Sequence, residues 1–128
     1  MIEQHQIGKV ADVVGLSLRT IRYYEEIGLV SPSGRTEGGF RLYTDPDIDR
    51  LRLLKALKPI GMSLETMGEI LEMSDQLARG DGDRTAAERK FESALARALD
   101  SCDRMETALL VARQALQQLS VPARQGIR

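Results

Sequence analysis

Apolar residues recur at helical spacing at the start of the 128-residue chain. Residues 7–14 place four of them on one face of a helix: Ile7, Val10, Ala11 and Val14. Gly15 predicts the end of this helix, because glycine adopts the left-handed conformation at little cost. Ser17 is then a predicted N-cap for a second helix that ends before Gly28. Two short helices joined by a glycine-containing turn are typical of a helix-turn-helix.

The predicted second helix has an apolar side and a polar side. Leu18, Ile21 and Tyr24 lie on the side that is available to a core. The other side carries Arg19, Arg22, Tyr23 and Glu26. In a helix-turn-helix the second helix enters the major groove of DNA. The polar side is therefore either a DNA-reading surface or an ordinary solvated surface.

The spacing changes from helical to alternating in residues 31–43, where Gly38-Gly39 indicates a hairpin turn. The alternation predicts two sets of side chains: Phe40 and Leu42 toward the core, and Arg41 and Tyr43 outward together with Arg35. A two-stranded wing of this kind would lie beside the second helix and hold the DNA backbone. Arginine donates two parallel hydrogen bonds to phosphate, and a tyrosine hydroxyl donates a further one.

Two further helices follow the predicted hairpin. Thr44 and Asp47 have the spacing of a capping box at the start of a third helix, which Pro59 ends. Ser63 is the predicted cap of a fourth. Residues 75–84 are polar, acidic and rich in glycine, and they predict a linker after a first domain at residues 1–74.

The longest predicted element is a helix at residues 85–119, which begins in the capping-box sequence TAAE. Apolar or small residues occupy successive steps of three and four along it: Phe91, Leu95, Ala98, Cys102, Met105, Leu109, Ala112, Leu116 and Leu119. A helix of this length spans about 52 Å, and the chain has no second long helix to cover the stripe. We therefore expect a dimeric coiled coil, followed by a tail at residues 120–128.

Composition limits the possible functions. The net charge is −1, with 18 basic and 19 acidic residues, so DNA binding would rely on placed arginines rather than a broad positive field. One cysteine and one histidine exclude a multi-cysteine metal site within the chain and the usual acid–base pair, and we expect no enzyme, cofactor or bound metal. No apolar run reaches the roughly 18 residues of a membrane span, so we expect a cytoplasmic protein without membrane contact.

Taken together, the motifs resemble the MerR (mercury-resistance regulator) family of bacterial transcription regulators. The resemblance rests on TIRYYEEIGL at residues 20–29, on RLYTDPDIDRL at residues 41–51 and on the long final helix. It implies a mainly α fold, in which a winged helix-turn-helix DNA-binding domain is followed by a long antiparallel coiled-coil dimerisation helix.

The resemblance also implies a mode of action. A homodimer would bind a pseudo-palindromic, double-stranded promoter with an overlong spacer. It would bend and undertwist that spacer, and so act on RNA polymerase indirectly. The positions that match the family's DNA contacts are Ser17, Arg19, Thr20 and Arg22 on the recognition helix, with Arg19 at a base edge, and Tyr23, Arg35, Arg41 and Tyr43 at phosphates.

The effector stays unassigned at this level. Metal sensors of the family carry cysteines near the end of the dimer helix, whereas the stretch after Leu119 has neither cysteine nor histidine and is too short for a drug-binding domain. Cys102 is interpreted as a small apolar residue of the coiled coil, although antiparallel pairing would bring two such thiols near each other. The alternative function is a coiled-coil dimeric interaction module whose helix-turn-helix surface binds a protein partner.

Overall fold

The computed structural model describes residues 3–124, which are mainly helical. The elements in chain order are β1 (Gln4–Gln6), α1 (Ile7–Val14), α2 (Leu18–Glu26), β2 (Gly34–Arg35), β3 (Arg41–Thr44), α3 (Asp45–Leu57), a 3-10 turn (Lys58–Ile60), α4 (Leu64–Arg79) and α5 (Arg84–Gln117). The chain divides into a first compact unit that ends at Phe91 and a second that begins at Glu92. Among the described residues, no helix is long and apolar enough to cross a membrane.

The turn between α1 and α2 depends on Gly15. Its φ of 77° lies in the left-handed region, which glycine adopts without strain. A Cβ atom there would lie 2.5 Å from Lys55 Nζ, which donates a 2.9 Å hydrogen bond to the carbonyl of Val14. Ser17 then caps α2, and its hydroxyl accepts a 3.0 Å hydrogen bond from the backbone N–H of Thr20. Both predicted signals in this turn are confirmed.

The predicted hairpin is part of a three-stranded antiparallel sheet with the order β1-β3-β2. Arg35 pairs with Arg41 across the hairpin, as expected. On the other edge of β3, His5 of β1 pairs with Tyr43. Strand β1 is not predictable from the sequence, because three residues that pair with a distant strand leave no local alternation.

The predicted orientation of the wing side chains is wrong at Phe40 and Tyr43. Phe40 is 66% exposed, whereas Tyr43 is fully buried. Alternation assigned Tyr43 to the uncovered face of β3, but Tyr43 belongs to the apolar core together with Val10 of α1 and Ile48 of α3, and Thr44, which follows it, is also buried. Phe40 precedes the strand, and its ring lies beside Gly38 at the turn.

The core of the first unit collects apolar residues from α1, α2, α3 and α4. Its members are Val10, Val14, Ile21, Tyr24, Leu29, Val30, Tyr43, Ile48, Leu51, Leu54, Met67 and Leu71. The predicted inward faces of the helices are thus largely confirmed, although Leu18 is exposed. Burial of such side chains contributes roughly 1.5–3 kcal/mol each.

Helix α3 begins with the predicted capping box. The Thr44 hydroxyl accepts from the backbone N–H of Asp47, and the Asp47 carboxylate accepts from that of Thr44. Ser63 caps α4 in the same manner, accepting a 3.1 Å hydrogen bond from the backbone N–H of Thr66. These local signals place the starts of both helices correctly.

The predicted linker at residues 75–84 is too long, because α4 continues to Arg79. Asp75 is held by Arg50 of α3 through two hydrogen bonds of 3.0 and 3.1 Å, so this polar segment stays helical. Gly80, with a φ of 73°, ends the helix. The connection to α5 is therefore only residues 80–83.

Helix α5 spans Arg84–Gln117, close to the predicted 85–119, but its cap is Asp83 rather than Thr85. The Asp83 carboxylate accepts hydrogen bonds from the backbone N–H groups of Thr85 (3.0 Å) and Ala86 (3.4 Å). Thr85 consequently lies inside the first turn. The predicted tail has no helix or strand up to residue 124, and residues 125–128 lie outside the described residues.

Candidate nucleic-acid interface

The outward face of α2 carries two arginines and a tyrosine. Arg19, Arg22 and Tyr23 are exposed, while Ile21 and Tyr24 fix the opposite face in the core. The predicted division of the two adjacent tyrosines, one packed and one presented outward, is confirmed.

Arg19 and Arg22 have no partner in the described part of the chain. Within residues 3–124, neither side chain forms a hydrogen bond or an ion pair. Arg50, by contrast, pairs with Asp75. The two guanidinium groups on α2 therefore remain available for an outside acceptor.

Ser17 and Thr20 have a structural task at the start of α2. Their hydroxyl oxygens lie 2.8 Å apart, and the Ser17 hydroxyl also caps the helix. Ser17 is exposed and Thr20 is half-buried. Their hydroxyls thus fix the beginning of the helix that carries Arg19 and Arg22.

The wing, defined as β2, β3 and the turn between them, is tied to α2 through Glu25. Arg41 Nε lies 2.9 Å from Glu25 Oε1 and 2.7 Å from Oε2, and the Tyr43 hydroxyl donates a 2.9 Å hydrogen bond to Oε2. Arg35 Nη2 is 3.9 Å from Oε1, and its Nη1 donates to the carbonyl of Gly39. The structure therefore brings three of the sequence-predicted residues together around a carboxylate that the prediction did not include.

This network changes the protonation energetics of its members. The hydrogen bond to Glu25 and the charge of that carboxylate raise the pKa of Arg41 above its usual value. Burial, followed by the hydrogen bond to Glu25, raises the pKa of Tyr43. Arg41 is therefore a fixed cation, and Tyr43 is a neutral hydrogen-bond donor.

A groove of about 1060 Å³ runs beside α2 and adds residues that the sequence analysis missed. Arg19, Arg22 and Tyr23 line one side, and Lys58 and Ser63 line the other. Ser63 caps α4, whose N-terminus carries partial positive charge. Lys58 directly precedes Pro59, the predicted end of the third helix, and this exposed position at a helix end was the available clue in the sequence.

A second cluster of polar residues lies away from α2. Three potential ligand atoms lie within 4.8 Å of one another, one each from Glu3, His5 and Asp45. His5 Nε2 is 3.1 Å from Asp45 Oδ1, so a hydrogen bond already accounts for their approach. Lys9 and Arg52 line the same cavity and oppose a further positive charge there.

The predicted dimer residues all lie on α5 or just beyond its end. Phe91, Ala98, Cys102 and Met105 are half-buried, and Leu95, Leu109, Ala112, Leu116 and Leu119 are exposed. Their pairing with a second helix stays a prediction.

Two curated transcription regulators are similar to the greater part of this chain. The chain is 34% identical to Heavy metal-dependent transcription regulator 2 of Rhizobium meliloti (strain 1021) over 103 residues, which are 80% of this chain and 70% of that protein. It is 39% identical to the HTH-type transcriptional regulator CueR of Escherichia coli O157:H7 over 77 residues, 60% of this chain and 57% of that protein.

Solved structures show the same fold. HiNmlR, a MerR family regulator lacking the sensor domain and bound to promoter DNA, matches with a TM-score of 0.72 and 29% identity, over 90% of this chain and 80% of that one. The N-terminal part of the Bacillus subtilis multidrug transporter activator matches with a TM-score of 0.51 and 31% identity, over 88% of this chain and 97% of that one. Residues 6–74 match the MerR HTH family regulatory protein family. With more than half of its length covered by that match, the chain belongs to the MerR family of DNA-binding transcription regulators.

Proposed function

We propose that two copies of the chain bind one pseudo-palindromic promoter and change its shape so that RNA polymerase can use it. Each copy would place α2 in the major groove and its wing on the neighbouring backbone. The proposal extends the family assignment to the residues and the assembly that carry out the binding. We further propose that the protein acts in the cytoplasm, where its promoter DNA lies.

One observation supports the DNA-binding role most directly. Arg19 and Arg22 are exposed on the same side of α2 and are unpaired within the described part of the chain. Leaving two guanidinium groups without acceptors is consistent with an anionic or base-edge partner. Arginine is the most frequent side chain in specific contacts with guanine.

The proposed DNA-contacting residues are of two kinds: those that read bases and those that contact the backbone. Arg19 is the proposed base-reading residue, with Arg22 beside it on α2. Tyr23, Arg35 and Arg41 are the proposed phosphate contacts, and Lys58 adds a further one across the groove. Tyr43 is not proposed as a contact, because its hydroxyl is buried against Glu25.

The shape change explains why backbone contacts are needed at both ends of the site. Bending 20–30 base pairs costs on the order of 1–6 kcal/mol, which phosphate contacts from two linked copies must offset. Such contacts also make affinity fall steeply with salt concentration.

The test begins with selection of binding sequences from a randomised DNA pool, which is expected to yield a pseudo-palindrome. Affinities for this operator and for a scrambled duplex are then measured at several salt concentrations. Arg19→Ala should reduce discrimination between the two duplexes by about 1–3 kcal/mol. Arg41→Ala should weaken both, and lower the slope of log K against log salt by about one.

Arg89→Ala is the matched control, since it removes one exposed guanidinium from α5 rather than from α2 or the wing. It should leave discrimination unchanged. Equal behaviour of Arg19→Ala, Arg41→Ala and the control would contradict the proposal. The alternative, a module that binds a protein partner through α2, is not favoured by similarity to regulators and to a promoter complex.

A further inference from the structure

Glu25 lies on the recognition helix, yet its carboxylate faces the wing. Its side chain is only 16% exposed, and both oxygens are engaged by Arg41, with Tyr43 adding a third short contact. The nearby Arg35 contributes a weaker ion pair at 3.9 Å. Hydrogen bonds between charged groups are roughly twice as strong as neutral ones, so this carboxylate is a strong fixed point between α2 and the wing.

The contact leaves the phosphate-binding part of Arg41 available. Arg41 uses Nε for Glu25, and in the stretch from residue 3 to residue 124 neither of its terminal nitrogens has a hydrogen-bond partner. A guanidinium held by Nε keeps its two terminal NH₂ groups for an acceptor with two oxygens. Glu25 therefore orients Arg41 without occupying its terminal nitrogens.

We propose that Glu25 is a positioning residue for DNA binding, which fixes the wing against α2 and sets the direction in which Arg41 meets a phosphate. The proposal rests on the proposed function, since it requires that α2 and the wing bind the same DNA. Its consequence is geometric: the distance and direction from Arg19, which reads a base, to Arg41, which contacts a phosphate, are fixed. Only DNA with the correct site satisfies both.

The charge of Glu25 gives the proposal a distinctive signature. A carboxylate near the DNA backbone repels every duplex, so its removal should favour binding to random DNA. Loss of positioning should act in the other direction, and only on the operator, because only there must Arg41 meet its phosphate while Arg19 reads the bases. On random DNA, Arg41 without Glu25 keeps its charge and contacts any phosphate within reach. A carboxylate that merely stabilised the fold would instead change both duplexes alike.

The experiment measures affinities of the full chain for the selected operator and a scrambled duplex of equal length. Glu25→Ala should weaken operator binding about tenfold and leave binding to the scrambled duplex unchanged or stronger. Glu25→Gln keeps one acceptor oxygen for Arg41 and should show the same pattern with a smaller loss. If Glu25→Ala fails to fold by circular dichroism, Glu25→Gln decides the test.

A double-mutant cycle separates positioning from general stability. If Glu25 acts through Arg41, adding Glu25→Ala to Arg41→Ala should weaken operator binding by less than about twofold further. Glu69→Ala is the matched control, since Glu69 is exposed on α4 and has no hydrogen-bond or ion-pair partner in the described residues. It should leave binding to both duplexes unchanged.

The outcomes are distinct. Equal losses on the two duplexes, or an additive effect of Glu25→Ala and Arg41→Ala, would overturn the role of Glu25. If the unaltered protein does not prefer the selected operator to the scrambled duplex, the proposed function itself is wrong.

Discussion

At the scale of single residues, three tyrosines serve different purposes. Tyr23 is exposed on α2, next to Arg22 in the sequence. Tyr24 is buried, and its hydroxyl has no hydrogen-bond partner among the described residues. Tyr43 is also buried, but its hydroxyl donates to Glu25. The three phenol groups thus differ in their surroundings. One is exposed, one is buried without a hydrogen-bond partner among the described residues, and one is part of an ionic network.

The two buried tyrosines should respond in opposite ways to loss of the hydroxyl. Tyr24→Phe removes an unsatisfied buried polar group and should raise the free energy of unfolding by about 1 kcal/mol. Tyr43→Phe removes a hydrogen bond to a charged acceptor and should lower it by about 1.5–3 kcal/mol. Urea unfolding of both variants measures the difference. Equal effects would show that the hydroxyl of Tyr24 has a partner after all.

Tyr43 should also make the fold sensitive to high pH. Burial raises its pKa above the value of about 10 in the unfolded chain, so the folded state retains a proton that the unfolded state releases. Its contribution to stability is fully present below pH 10 and is lost as the pH rises above it. Urea unfolding at pH 8, 10 and 11 should therefore show a shrinking difference between the unaltered protein and Tyr43→Phe. A constant difference over this range would contradict the assigned shift.

Side chains on helices could be predicted from the sequence, but those of the wing could not. Tyr23 and Tyr24 separate because adjacent helical positions are about 100° apart. The outward orientation predicted for Tyr43 was wrong because its ring belongs to a core that includes Val10 of α1 and Ile21 of α2, which lie far from β3 in the sequence. Glu25 was missed for the same reason: its partners Arg41 and Tyr43 follow it by 16 and 18 positions.

At the scale of secondary-structure elements, helix starts and stops are the most predictable features. Ser17, Thr44 and Ser63 cap their helices as expected because a cap involves only the next few residues. The end of α4 was misplaced because Asp75 is held by Arg50 of α3, a contact that crosses 25 positions. Asp83 displaced Thr85 as a cap although both fit the local pattern.

Gly15 offers a test of how tightly the helix-turn-helix is specified. Gly15→Ala places a side chain at positive φ and disturbs the hydrogen bond from Lys55 to Val14, so it should destabilise the fold by about 1–2 kcal/mol. Gly8→Ala is the control, since Gly8 lies within α1 and a Cβ atom there meets nothing within 4 Å. The control should stabilise by up to about 1 kcal/mol. Thermal unfolding in which both substitutions act alike would show that the turn does not require glycine.

At the scale of the whole molecule, the second half of α5 stands out because it carries large apolar side chains that are exposed. Leu109 and Leu116 are about two-thirds exposed, and Leu119 more so. Large exposed apolar patches commonly mark interaction surfaces. The periodic stripe was predictable from sequence because it is a property of one helix, and no other helix among residues 3–124 is as long as α5. We therefore infer that a second copy covers this face.

Dimerisation should be a condition for tight operator binding. Leu109→Glu introduces a charge into the proposed interface, where burial without a partner is costly. The variant should sediment as a monomer. Two half-sites bound by linked copies gain from effective concentration, which separate monomers lose. Operator affinity should therefore fall at least a hundredfold, although no residue of α2 or the wing has changed.

Gln114→Glu is the matched control for this test, because it adds the same charge to the same helix about 140° around its axis from Leu109. It should remain dimeric and bind the operator almost normally. If Leu109→Glu also stays dimeric, the predicted stripe from Phe91 to Leu119 does not form the interface. If it becomes monomeric but binds the full operator as before, the two copies do not act together on one promoter. Loss of dimerisation together with loss of operator affinity, seen only at Leu109, would connect the apolar stripe of α5 to recognition of DNA by α2.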